Sequence, residues 1–190
     1  ISDDAYGHLC TVTGATWGSQ GRTFDGVDDL IDLGDVGALE GIPELTVNVW
    51  VKQNIIEANM GIVAKFTAAG GRSWQIDTDS LAKVRFDISI ASVEIPVLFA
   101  SGSLTAGVWT MVTAVKDTTM RMYKNSLQDN AATPASVGNI DATTSSVQIG
   151  SYYDVNSCIN ATIGEVWACT RALSVQEIQQ IYLSTKFRYM

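Results

Sequence analysis

The sequence predicts an all-β protein: a two-sheet antiparallel β-sandwich with one short C-terminal helix. Three observations carry this. Apolar residues recur at every second position through most of the chain, turn-forming residues punctuate the alternating runs, and a helix signature occurs once, near the end.

The strand segments follow in chain order. In "LTVNVWVK", Leu45, Val47, Val49 and Val51 share one face, opposite Thr46, Asn48, Trp50 and Lys52. In "VRFDISI", Val84, Phe86, Ile88 and Ile90 oppose Arg85, Asp87 and Ser89. "WTMVTAV", "MRMYK", "VQIGSYY" and "TIGEVWAC" are equally rich in the β-branched and aromatic residues that suit a pleated, half-buried surface. Between them lie "AAGGRS", "SGSLTAG", "KDTT" and "NSLQDN". Many short strands separated by Gly, Asn, Asp and Ser describe a sandwich. The helix begins at Ser174, whose hydroxyl and the Glu177 carboxylate form a capping box. Leu173 and Ile178 have staple spacing, and Ile178, Ile181 and Tyr182 share a packing stripe through "VQEIQQIY". No repeat, low-complexity tract or linker interrupts the 190 residues, so residues 1–190 are expected to form a single domain.

Composition narrows the function. A net charge of -8 opposes nucleic acid and anionic membrane surfaces, both of which need a basic face. No apolar run approaches the roughly 18 residues of a membrane span. The chain starts at Ile1 without a basic-then-apolar leader, as expected of a mature or excised fragment. Of the three cysteines, Cys158 and Cys169 are held apart by an extended strand, whereas Cys10 could meet either; the alternative is three small buried hydrophobes. Asn160 opens a glycosylation sequon inside an expected strand.

The ordered set "GHLCTVTGATW", "GRTFDGVDDLIDLGD", "LTVNVWVK", "GIVAKF", "GVWTMVTAVKDTTMRMYKN", "VQIGSYY" and "ATIGEVWACTRALSVQEIQQIY" resembles the laminin G-like members of the concanavalin A-like lectin/glucanase superfamily. The resemblance spans nearly the whole chain. It implies a jelly roll whose first and last strands lie close together, with Trp50 and Trp109 at packing positions. It also implies an extracellular, cell-surface or virion module that binds a glycan, polysaccharide or protein rather than catalysing a reaction. Four departures stand out. Ala161 and Gly164 occupy positions where the family usually has glycine and aspartate, and related proteins often place a calcium ligand near that aspartate. Ser126 stands for a turn glycine, and Leu30 for a tyrosine.

Residues 25–35 hold five aspartates, Asp25, Asp28, Asp29, Asp32 and Asp35. The stretch is not an EF-hand: counted from Asp25 the third position is Val27 and the twelfth Val36, and counted from Asp28 the twelfth is Leu39. A looser calcium site remains open, formed by Asp25 or Asp28 with turn carbonyls and Glu165, or with Asp3 and Asp4. The preferred alternative is a turn in which Gly26 supplies a positive φ, Asp28 and Asp29 accept backbone hydrogen bonds, and Asp32 is solvated.

Catalysis finds little to stand on. No strand carries the alternating acids of a sandwich glucanase; "VRFDISI" offers only Asp87 and "TIGEV" only Glu165. Those two would matter only if they faced each other roughly 5 to 10 Å apart across a cleft. The single histidine, His8, lies in the first-strand region, which also argues against a serine triad or a zinc site. Glycan recognition needs an aromatic platform beside polar groups. The candidates are Arg72 and Trp74 in "GGRSWQID", and Tyr152, Tyr153, Asp154 and Asn156 in "GSYYDVNS", with Trp17 the weakest. The rival reading packs Trp74 and Tyr153 in the sandwich. A structural or protein-interaction domain of the same fold is the alternative function, with a lyase or hydrolase behind it.

Overall fold

The structure, a computed structural model, describes residues 2–3, 9–67, 71–130, 133–153 and 155–190. Alternation builds two antiparallel sheets. The first runs, edge to edge, β1 (Ser2–Asp3), β2 (Leu9–Thr13), β5 (Leu30–Asp32), β14 (Val147–Ile149), β7 (Gly61–Thr67), β8 (Gly71–Thr78), β9 (Val84–Ile90) and β10 (Val93–Leu98). The second runs β13 (Leu127–Gln128), β12 (Met120–Lys124), β11 (Thr110–Lys116), β6 (Leu45–Gln53), β15 (Asn160–Cys169), β4 (Gly21–Asp25) and β3 (Thr16–Gly18). Face to face they form the jelly-roll sandwich. The first full strand, β2, and the last, β15, lie in different sheets, and β15 pairs with β4 and β6. The expected first strand, spanning β2 and β3, does not pair with the last: β4 lies between β3 and β15, and β2 is in the other sheet.

The core lies between the sheets and takes the residues that alternation assigned to it. Leu45, Val47, Val49 and Val51 of β6 meet Ile76 of β8 and Val84, Phe86 and Ile88 of β9. The opposite face of β6 is not solvated. Trp50 stacks on Tyr189 at 4.5 Å and on Tyr182 at 5.8 Å, and its Nε1 donates to the Thr185 hydroxyl at 3.0 Å. Helix α1 (Val175–Thr185) and the residues after it cover this outer face, with Leu173 and Ile178 buried beneath. The capping box forms as expected: Ser174 accepts from Glu177 N, and the Glu177 carboxylate accepts from Ser174 N. The helix continues to Thr185, one turn beyond the segment the sequence marked.

Gly164 has a local reason. A Cβ there would lie 2.5 Å from the Tyr189 ring, and Tyr189 Oη accepts from Glu165 N at 2.8 Å. An aspartate at this position would displace the C-terminal segment. Ser126, which stands for a turn glycine, is held at φ +69°, after Asn125 at +50°. The turn keeps the backbone of a tight hairpin and tolerates the side chain at some cost. All three cysteines are thiols, Cys10 and Cys158 buried and Cys169 half-buried. At one end of the sandwich the fully buried Lys65 donates to Asp35 Oδ1 at 2.6 Å and to Ser145 O at 2.7 Å, with Glu40 Oε2 at 3.2 Å. Its charge is thereby matched and its protons are placed.

Candidate functional site

With one outer face closed by the helix, the outer face of the eight-stranded sheet is the broad surface left for a ligand. Register places Gln148, Ala64, Gln75, Asp87 and Pro96 in one row across β14, β7, β8, β9 and β10. Paired residues share a face, and the flanking row Val63, Ile76, Phe86 and Val97 points into the core. The row through Gln75 and Asp87 therefore points outward.

Outward-pointing does not mean solvated here. Ser73, Gln75 and Asp87 are only 1%, 3% and 4% exposed and line a groove together with Phe66, Arg72, Ser89 and Glu94. Ser73 Oγ, Gln75 Oε1 and Asp87 Oδ1 are buried and make no hydrogen bond among the described residues, nor does Gln148 Oε1 farther along the row. Native proteins seldom leave such atoms unpaired, and leaving one so costs about 1–3 kcal/mol.

The charges around them are already matched. Arg85 grips Asp77 with two bonds, Nε to Oδ1 at 2.9 Å and Nη2 to Oδ2 at 2.5 Å. Arg72 pairs with Glu94 across the groove. Asp87 has only Arg85 Nη1, at 3.8 Å from its Oδ2. Burial, reinforced by Glu94 and Asp77 and opposed by Arg85 and Arg72, pushes the Asp87 carboxyl up to about 6.

Aromatic residues border the groove. The chain leaving β14 turns back past Gly61, whose Cα hydrogens lie against the backbone of Ser151 and Tyr152. This brings Tyr152 to 5.8 Å from Phe66, Tyr153 to 6.2 Å from Phe66, and the two tyrosines to 4.8 Å from each other. Arg72 lies over the Phe66 ring at 5.5 Å. Tyr153 is 41% exposed, so the cluster presents a ring to solvent. Asn156 is exposed in the short 3-10 helix Val155–Ser157 that follows.

Of the residues the sequence proposed for binding, Arg72, Tyr152 and Tyr153 come together, and Asn156 sits on the same loop. Asp154 lies outside the described residues, as do His8 and Asp4. Trp74 also lines the groove, but its ring is 1% exposed, packs in the core and donates its Nε1 to Leu39 O at 3.0 Å. Trp17 is exposed on the edge strand β3, with Arg22 stacked on it at 4.1 Å, away from the groove's sheet. Phe66, Gln75 and Ser73 carry no binding signal in the sequence. Strand-face polar residues look solvated in a sequence, and only the register and the loop folded beside them show otherwise.

The acidic turn is a separate feature. Asp25, Asp28 and Asp29 each bring one carboxylate oxygen within 4.8 Å of the others. Gly26 takes φ +84°, Asp29 Oδ2 accepts from Asp25 N at 2.9 Å, and Asp25 Oδ1 accepts from Val27 N at 2.8 Å. Asp32, expected in water, accepts from Gly34 N at 2.7 Å. Burial raises the Asp29 carboxyl despite its bond to the Asp25 amide, with Asp25 and Asp28 adding to the rise. Carboxylates and turn carbonyls are the donor set of a hard cation, but Glu165 does not join them: it pairs with Arg188 at 3.0 Å beside the C-terminal segment. Asn160 anchors this turn, donating to Asp25 O at 2.9 Å while its own oxygen accepts from Asn54 at 2.9 Å.

Comparison with known proteins agrees with the architecture. The ligand-binding domain of botulinum neurotoxin serotype D, solved in complex with N-acetylneuraminic acid, superposes with a TM-score of 0.74 at 12% identity over 95% of this chain and 47% of that one. The C/D mosaic neurotoxin domain gives 0.73 at 15% identity over 96% and 48%. The binding domain of Paraclostridial mosquitocidal protein 1 gives 0.73 at 12% identity over 95% and 48%. The chain thus spans about half the length of these structures, and at such identities the likeness is one of fold. No curated protein matches the chain. A laminin G model described as concanavalin A-like lectin/glucanases superfamily matches residues 25–179, most of the chain. With the jelly roll and the ordered motifs, that match makes this protein a member of the concanavalin A-like lectin/glucanases superfamily.

Proposed function

We propose that the protein is a non-catalytic glycan-binding module whose site is the outer face of the eight-stranded sheet. The observation that carries this reading is the groove of buried, unpartnered polar atoms, Ser73 Oγ, Gln75 Oε1 and Asp87 Oδ1, beside the Phe66, Tyr152 and Tyr153 rings. A sugar ring stacks its apolar face on an aromatic and offers hydroxyls to such atoms. The unmet hydrogen-bonding capacity of the free protein then becomes binding energy. The sialic acid held by the neurotoxin serotype D domain supports sugar as the ligand class for this fold.

The same geometry argues against hydrolysis. A glycosidase needs two carboxyl groups facing the scissile bond. Asp77 is fully buried and locked to Arg85, and Glu94 is paired with Arg72, which leaves Asp87 alone in the groove. Glu165 stands in the other sheet, beside Arg188, and does not face Asp87. Calcium at Asp25, Asp28 and Asp29 is an accessory proposal: it would brace the turn and is not needed for the groove to read a sugar. The setting that suits such a module is extracellular, on a cell or virion surface.

The test is a polysaccharide and glycan binding screen, with calcium and with chelator. Binding in either arm, reduced at least tenfold by Tyr153→Ala, is the expected result. Binding to no glycan would move the reading to a protein-interaction domain.

A further inference from the structure

The unpartnered atoms in the groove are not a random sample of polar chemistry. Gln75 Oε1 and Asp87 Oδ1 can only accept hydrogen bonds while Asp87 is ionised, and Gln148 Oε1, in the same outward row, is a third acceptor. Ser73 Oγ can serve either way. The donors facing the groove are spoken for: Gln75 Nε2 donates to Asp77 at 3.2 Å, Arg85 is committed to Asp77, and Arg72 to Glu94; farther along the row Gln148 still offers its Nε2. Adjacent strands lie about 4.8 Å apart, so Gln75 and Asp87 stand one spacing apart and Gln148 two spacings beyond Gln75. The wall is thus a line of acceptors.

Charge points the same way. Asp77, Asp87 and Glu94 face two guanidiniums, Arg72 and Arg85, so the groove carries an excess negative charge. An incoming carboxylate would find no uncommitted cation among the described residues that line the groove and would meet Asp87 in a poorly solvated setting, where repulsion is strong. The protein's net charge of -8 adds long-range repulsion of polyanions.

From this wall of acceptors we infer that the groove selects uncharged, hydroxyl-rich glycans, which donate hydrogen bonds, and rejects carboxylated ones such as uronates and sialic acids. The inference rests on the glycan-binding reading above and gives it a substrate class. Asp87 is the residue that sets the preference. As a carboxylate it accepts a charge-assisted bond from a sugar hydroxyl. The groups facing it are Arg85 on its own strand, Asp77 and Arg72 from β8, and Glu94 from β10. With its carboxyl near 6, it is ionised at neutral pH and protonated in mild acid.

The experiment compares immobilised mannan, xylan and mixed-linkage β-glucan with polygalacturonate, hyaluronan and sialyllactose, at about pH 7.5 and about pH 5. Wild type is run beside Asp87→Asn, Gln75→Leu and Arg72→Ala, with thermal unfolding to confirm that each variant is folded. The expected result is binding to at least one neutral polymer and to none of the acidic ones. Asp87→Asn and Gln75→Leu should each weaken it about tenfold, the loss of one well-formed hydrogen bond to a buried group. Wild-type affinity should fall several-fold toward pH 5, while Asp87→Asn shows no such slope. Binding to an acidic glycan at equal or greater strength, lost in Arg72→Ala, would overturn the inference and leave the glycan-binding reading standing. Neutral binding unaffected by both groove variants would overturn it as well. Binding to neither class would overturn the glycan-binding reading itself, and this inference with it.

Discussion

At the scale of single residues, Asp87 combines a cost in stability with the binding role proposed for it. Its folded carboxyl, at about 6, lies above its ordinary value of 3.8 because burial disfavours the charge. The folded state therefore holds the proton more tightly than the unfolded chain. The stabilisation from that proton is complete below about pH 4 and disappears as pH rises through about 6, a change on the order of 3 kcal/mol. Asp87→Asn removes the charge that must be buried at neutral pH. Denaturant unfolding should then show the variant about 1–2 kcal/mol more stable than wild type at pH 7. The gap should shrink or reverse toward pH 4, even as glycan binding weakens. Equal stability across this range would mean that Asp87 is solvated in the folded state. Legibility at this scale was uneven. Arg72, Tyr152 and Tyr153 could be picked out because loops rich in aromatic and polar residues commonly bind. Trp74 shares its face with Ile76 by plain alternation, opposite Lys65 and Ile88, and so turns to the core; the irregularity in the β7–β8 pairing falls beyond it, at Ser73 and Arg72.

At the scale of elements, local signals were legible and long-range pairings were not. The capping box at Ser174 and Glu177 is written within four residues, and the helix starts where it says. Ser174→Ala should lower stability by about 1 kcal/mol in thermal or denaturant unfolding and leave glycan binding unchanged, because the helix covers the sheet opposite the groove. The strand order is another matter. That β14 lies between β5 and β7, so that the chain leaving it turns back to the Phe66 ring, follows from pairings more than eighty residues apart in sequence. Gly61 is the close contact that allows this return. A Cβ at Gly61 would run into the backbone of Ser151 and Tyr152, which has no flexible side chain to move aside. Gly61→Ala should therefore cost about 1–3 kcal/mol through overpacking. It should also weaken glycan binding by shifting Tyr152 and Tyr153, a change visible in the tyrosine side-chain resonances. Unchanged resonances and unchanged affinity would show that the loop accommodates the methyl and that its path does not set the aromatic cluster.

At the scale of the whole molecule, the two outer faces of the sandwich have been given different work. The outer face of the seven-stranded sheet is sealed by helix α1 and Tyr189 over Trp50, an extension of the core. The sealed face leaves Asn48 Nδ2 unmatched, whereas the outer face of the eight-stranded sheet leaves a row of such atoms, Ser73 Oγ, Gln75 Oε1, Asp87 Oδ1 and Gln148 Oε1, which lowers stability in the free protein. Sequence alternation foretold two faces on every strand but not which face a helix would close, since Trp50 and Asn48 share a face that reads as half polar. The division predicts that the consequences of mutation separate by face. Trp50→Ala removes a fully buried ring from the sealed side and should cost about 3–5 kcal/mol, with the surviving folded fraction binding glycan at wild-type affinity. Tyr153→Ala removes a ring that is already 41% exposed and should change stability by no more than about 0.5 kcal/mol while reducing binding at least tenfold. Denaturant unfolding and titration calorimetry on both variants measure the two effects on one scale. If Trp50→Ala lost affinity at a concentration where it remains folded, the faces would be coupled through the core, and the groove could not be treated as a site carried on a rigid scaffold.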